Sequence, residues 1–126
     1  MSVSSANSRN DSPSGTWFYL TGLAFFLVGI TVGTGLFFNW AETLRIKTPV
    51  EVHIHANSWG LMSLAFAGLV VDLIPRWSGK SLAWPGSVTP IFWLMATGAL
   101  GLVLGPWLGS ELVMVPGLLM HLVATI

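Results

Sequence analysis

The chain has 126 residues, five Lys+Arg against five Asp+Glu, 53% hydrophobic residues and a mean hydropathy of +0.75. Charged residues make up 8% of it, against about 25% in an ordinary soluble domain, which excludes a soluble enzyme and a disordered chain. Zero net charge leaves no electrostatic footprint for nucleic acid, and the lack of cysteine excludes disulfides, thiolate metal sites and iron–sulfur clusters.

What remains is an all-α, polytopic membrane helix bundle, with three full transmembrane helices and a fourth partial one. Residues 1–15 read as a polar leader rich in Ser, Asn and Asp and are expected to be disordered. They are not a signal peptide, because the apolar run that follows is too long and no small-residue cleavage site closes it. The transmembrane domain takes in 16–126.

Trp17 to Phe38 carries no charge. At about 1.5 Å per residue it reaches about 33 Å, enough for a hydrocarbon core of about 30 Å. Trp17 and Tyr19 at one end and Trp40 at the other are interfacial anchors. A connection with Glu42, Arg45, Lys47, Pro49 and Glu51 leads to a second span over 52–74, closed by Asp72, Pro75 and Arg76. Arg76 and Lys80 lie in the next connection, and the third span runs over 87–108 between Trp84 and Trp107.

Glu111 opens a fourth apolar stretch over 112–126. It reaches about 22 Å, short of the roughly 20 residues a span needs, and no charge or aromatic belt closes it. The reading is an N-terminal fragment that stops inside a helix. Basic residues number three on one side (Arg9, Arg76, Lys80) and two on the other (Arg45, Lys47), which puts the N-terminus in the cytoplasm. Gly29 and Gly33, and then Gly101, Gly105 and Gly109, recur at the small-xxx-small spacing that lets helix backbones approach in lipid.

Ionisable residues inside a span are costly and mark function. Asp72 lies about a turn from the end of its helix and reads as an interfacial carboxylate near Arg76, with a place in a proton pathway as the alternative. The densest chemistry is at Glu51 to Gly60, which holds His53, His55, Asn57 and Trp59. Imidazole nitrogen binds haem iron or copper. If the segment is helical, His53 and His55 lie about 200° apart and cannot serve one metal from one face. If it is extended, both can chelate one copper ion. In the helical case the face of His55 continues through Trp59, Met62, Phe66 and Leu69, an apolar wall suited to a flat macrocycle. His121 is the remaining candidate. It lies about 15 Å along the fourth helix, about 9 Å deeper than His55, which is awkward for two ligands of one haem.

Three short motifs resemble subunit I of the haem-copper oxidase superfamily, in its cbb3-type and nitric-oxide-reductase-like branch. His55-Ala-Asn57 looks like the His-x-Asn/Ser that opens helix II there. Leu73-Ile-Pro-Arg-Trp-Ser-Gly79 looks like the Pro-Arg-x-x-Gly that ends it. Leu82-Ala-Trp-Pro85 and Phe92-Trp-Leu94-Met-Ala-Thr-Gly98 look like the beginning of helix III. The likeness covers roughly 17–110. It implies that His55 is an axial ligand of a low-spin haem b near the outer face of a bacterial or archaeal cytoplasmic membrane. It also implies a second axial histidine and the active-site copper ligands on later helices. The doublet His53–His55 departs from the simple pattern and looks like smaller relatives with His-x-His at this position. Those include haem- and copper-containing proteins of the nitric oxide response.

The expectation is a membrane redox subunit, the haem-b-binding part of a cytochrome c oxidase subunit I-like protein. It carries electrons toward oxygen or nitric oxide reduction, in membrane lipid and among other subunits of a respiratory complex. Its cofactor-binding residues are His55, His53, Asn57, Trp59, Met62 and His121, with His55 and His53 as metal ligands. His53 either hydrogen-bonds a propionate or binds a second metal. The competing readings are a non-enzymatic structural or assembly subunit docked through its glycine faces, and a copper-binding membrane protein using His53 and His55 with Met62 or Met114 as soft ligands. A transporter is disfavoured, because there are no paired broken helices and only one acidic residue within a span.

Overall fold

A computed structural model describes residues 14–126, so the polar leader lies outside the described residues up to position 13. Four helices follow one another: α1 (Thr16–Phe37), α2 (Pro49–Ser78), α3 (Val88–Leu108) and α4 (Glu111–Thr125). Among the described residues there is no strand. α1, α2 and Pro85–Leu108 are long and apolar enough to cross a membrane, while α4 is a shorter apolar helix. The chain is therefore an integral membrane protein built as an all-α bundle.

Each helix boundary has a local cause. Gly15 stands before α1, and its N–H donates to Asp72 Oδ1 at 2.8 Å, so a carboxylate near the end of α2 satisfies a free amide at the start of α1. Asn39 at φ 60° and Arg45 at φ 53° turn the chain between α1 and α2. Pro49 opens α2 at the first helical position, where its missing N–H costs nothing. Just before it, Lys47 N donates to Trp107 O and Thr48 N to Pro106 O. These bonds take up carbonyls at the end of α3 and bring the start of α2 beside it. Gly79 at φ 65° ends α2 and Gly109 at φ 66° makes the tight turn from α3 to α4.

α1 lies antiparallel to α2. Its buried face alternates large and small residues: Phe18, Gly22, Phe25, Gly29, Val32, Gly35. The facing line on α2 is Val52, Ala56, Gly60, Leu64 and Gly68, every fourth residue. In a plain α-helix such a line drifts about 40° per step. Here Ala56–Met62 is wound as a π-helix, which turns the line back and keeps it on α1. Phe25 sits over Gly60 and Phe18 over Gly68. Since lipid is as apolar as these side chains, close van der Waals fit is what holds the pair together.

The same winding alters one sequence expectation. The wall running from His55 through Trp59, Met62, Phe66 and Leu69 does not form. Met62 is 66% exposed and Phe66 68% exposed, facing away from the bundle, because the π segment rotates everything after it. α2 also starts earlier and ends later than the expected span of 52–74, at Pro49 and Ser78.

α4 packs along α3 at backbone distance. A Cβ on Gly98 would meet His121 N at 2.7 Å, and one on Gly105 would meet Met114 Cβ at 2.5 Å.

Candidate functional site

Both histidines of the doublet are helical, and they point to different neighbours. His53 Nδ1 lies 2.7 Å from Gly29 O on α1. His55 Nδ1 lies 2.9 Å from Leu102 O on α3. A carbonyl only accepts, so Nδ1 carries the proton in each ring and Nε2 is left with its lone pair. Metal-binding histidines are usually held this way, with the other ring nitrogen donating to a carbonyl that fixes the tautomer and raises ligand basicity. Facing different helices, the two imidazoles do not offer one ion a common face.

The glycines of α1 make room for this polarity. A Cβ on Gly33 would sit 2.6 Å from Cε1 and Nδ1 of His53, and one on Gly29 would sit 2.5 Å from Asn57 Nδ2. Asn57 in turn donates from Nδ2 to His53 O at 2.8 Å. The small-xxx-small pair is thus a double socket for an imidazole and an amide. Gly33→Leu is expected to force the His53 ring off Gly29 O and to cost about 1–3 kcal/mol, as overpacking does. The check is the melting temperature of the detergent-solubilised protein, and an unchanged melt contradicts the socket.

His121 takes a different place. It is fully buried. Its Nδ1 lies 3.2 Å from Met95 O on α3 and its Nε2 lies 2.9 Å from Ser63 Oγ on α2. The Trp59 ring meets it edge to face, with centroids 5.3 Å apart. Both ring nitrogens are engaged within the bundle, so it presents no spare lone pair. Ser63 lies eight residues beyond His55, about two turns along α2, so the structure does not bring His121 and His55 together.

Of the remaining expected residues, Asn57 and Trp59 are half-buried and hold the neighbourhood of His53 and His121, whereas Met62 is turned outward. Met114 packs on Gly105. Sequence reasoning missed Ser63. Its signal was a hydroxyl in the middle of an apolar span, where a polar side chain needs a partner. The Leu102, Gly29 and Met95 carbonyls carry no sequence signal at all.

The donor set has a chemical consequence. Among the described residues no group of three or more His, Cys, Asp or Glu side chains could hold a metal ion. A free ion needs several protein ligands, whereas haem brings four nitrogens of its own and asks for a single imidazole on a face. A lone, tautomer-fixed imidazole fits the second demand.

No protein-family model, curated protein or solved structure matches the chain.

Proposed function

We propose that the protein is a membrane redox subunit that binds a haem b through His55, as part of a cytochrome c oxidase subunit I-like assembly. The observation that carries this reading is the His55 Nδ1 to Leu102 O bond of 2.9 Å, which leaves Nε2 as a fixed, neutral ligand. The resemblance of His55-Ala-Asn57 and of the Pro75-Arg76-Trp77-Ser78-Gly79 ending to that superfamily supports it.

A bound haem supplies a one-electron couple. The chain's own residues orient and tune it. His55 would hold the haem through its Nε2 lone pair, whose basicity the bond to Leu102 O raises. His53 keeps its Nδ1 proton on Gly29 O. It therefore donates to a propionate only as the imidazolium, and as a neutral ring it offers a second lone pair. The electrons pass toward oxygen or nitric oxide reduction with other respiratory subunits. The setting is a bacterial or archaeal cytoplasmic membrane with the N-terminus inside.

The test is a reduced-minus-oxidised spectrum of the protein purified from membranes, with haem supplied during expression. A b-type signal is expected. A chain that purifies folded and colourless after haem supplementation overturns the reading.

One observation favours a second reading, a structural subunit. The His53 and His55 bonds join α2 to α1 and α3, and interhelical hydrogen bonds of this kind are worth about 0.6 kcal/mol on average. Under that reading the purified protein is colourless and its histidines act only as ties between helices.

A further inference from the structure

We infer that Ser63 and His121 form a latch that holds the π segment of α2 and so fixes the rotation at which His55 is presented to α3. This rests on the reading of His55 as a ligand only for its functional meaning. The latch itself stands on the hydrogen bonds.

In an α-helix the Ser63 N–H would donate to Trp59 O, four residues back. Here it donates to Ser58 O, five residues back. The Ser63 hydroxyl takes over Trp59 O in place of that amide. One side chain thus pairs the carbonyl that the π winding leaves without its amide, which lowers the cost of that winding in lipid. The same Oγ lies 2.9 Å from His121 Nε2, and His121 Nδ1 faces Met95 O at 3.2 Å.

The protons decide how this set works. Ser63 has one hydroxyl proton and two acceptors within reach, Trp59 O and the lone pair of His121 Nε2. Met95 O only accepts, so His121 Nδ1 carries the ring proton and Nε2 offers its lone pair. The single Ser63 hydroxyl proton is then shared between Trp59 O and that lone pair. α4 therefore reaches the π segment of α2 through one shared proton.

The winding matters to His55 because each residue of an α-helix turns about 100°. Returning the segment to α winding rotates the half of α2 that carries His53 and His55 against the half that carries Leu64 and Gly68. The His55 bond to Leu102 O cannot survive such a turn. Ser63 and His121 are positioning residues in this scheme, acting on His55 through the helix. π segments of this kind recur at functional sites.

The test uses the full chain, isotope-labelled and free of haem, in lipid bilayers. Solid-state NMR reads two signals: the hydrogen-bond contact between Ser63 N and Ser58 C′, and the imidazole 15N shift of His55 Nδ1. In Ser63→Ala the Ser63–Ser58 contact is expected to be lost and the His55 Nδ1 shift to move toward that of a ring without its carbonyl partner. Ser63→Thr, which keeps the hydroxyl, restores both. Ser58→Ala, on an exposed position, changes neither. Should the alanine variant not fold, Ser63→Cys provides the same readout with a weaker hydrogen bond. A Ser63–Ser58 contact that persists in the folded Ser63→Ala protein overturns the latch. Loss of the contact with an unmoved His55 signal overturns the positioning role. A wild-type protein that never takes up haem overturns the proposed function and leaves both NMR outcomes decisive.

Discussion

Gly117→Leu is expected to undock α4 from α3 and to destabilise the bundle far more than a substitution on the lipid-facing side of the same helix. A Cβ at Gly117 would lie 2.8 Å from Gly101 Cα, 2.9 Å from Gly101 C and 2.9 Å from Gly98 O. All three are backbone atoms of α3, so no side chain can swing aside. Overpacking a core costs about 1–3 kcal/mol where neighbours yield, and this contact belongs at or above the upper end. Separation of α4 also withdraws His121 from Met95 O and Ser63, leaving buried polar groups unpaired in lipid. The measurement is unfolding of the purified protein in mixed micelles. Val115→Leu, on the 48% exposed face of α4, serves as the control and is expected to stay within about 0.5 kcal/mol of wild type. Equal stability of the two variants would sink the argument that backbone contact seats α4.

The second large effect concerns the cofactor. His55→Ala is expected to reduce bound haem to background, with the reduced-minus-oxidised signal lost. His53→Ala keeps the haem, because its ring bonds to Gly29 O on α1 while the ring of His55 bonds to Leu102 O on α3. His121→Phe keeps the ligand nitrogen but removes the bonds to Ser63 and Met95 O, so it lowers haem occupancy without abolishing it. The three variants together identify the ligand. Loss of haem in His53→Ala with retention in His55→Ala would exchange their roles, and equal loss in all three would point to instability. A circular dichroism spectrum of each variant separates that last outcome from true loss of a ligand.

The bundle is legible in the sequence because lipid imposes a simple rule: uncharged runs of sufficient length become helices. The spans at Trp17 and at Ser87 begin within a residue or so of α1 and α3. The ends of α2 are less legible, because Glu51 and Arg76 look like loop charges yet lie on helical turns that extend the helix past its apolar stretch. The π winding leaves no mark in the composition. A pattern projected onto a helix of 3.6 residues per turn fails where the winding changes, and so it puts Met62 and Phe66 on the wrong face. Gly29 and Gly33 stand out as small residues, but what they make room for is a matter of register between α1 and α2. The roles of the Leu102, Met95 and Gly29 carbonyls depend on backbone alone, which no side-chain pattern reports. Gly15, which composition groups with the leader, is tied to Asp72.

The length of α2 has an electrical consequence. Its 30 residues place Ser63 close to the middle. With the helix centred in a hydrocarbon layer of about 30 Å, Ser63 lies near the midplane and His55, about two turns away, lies toward one boundary. A charge carried across the whole layer exchanges about 2.3 kcal/mol with a membrane potential of 100 mV. By simple proportion, a proton reaching the His121–Ser63 pair exchanges about half of that, and a charge arriving at His55 from its own side a smaller share. In this placement the deeper of the two polar sites is the more voltage-sensitive.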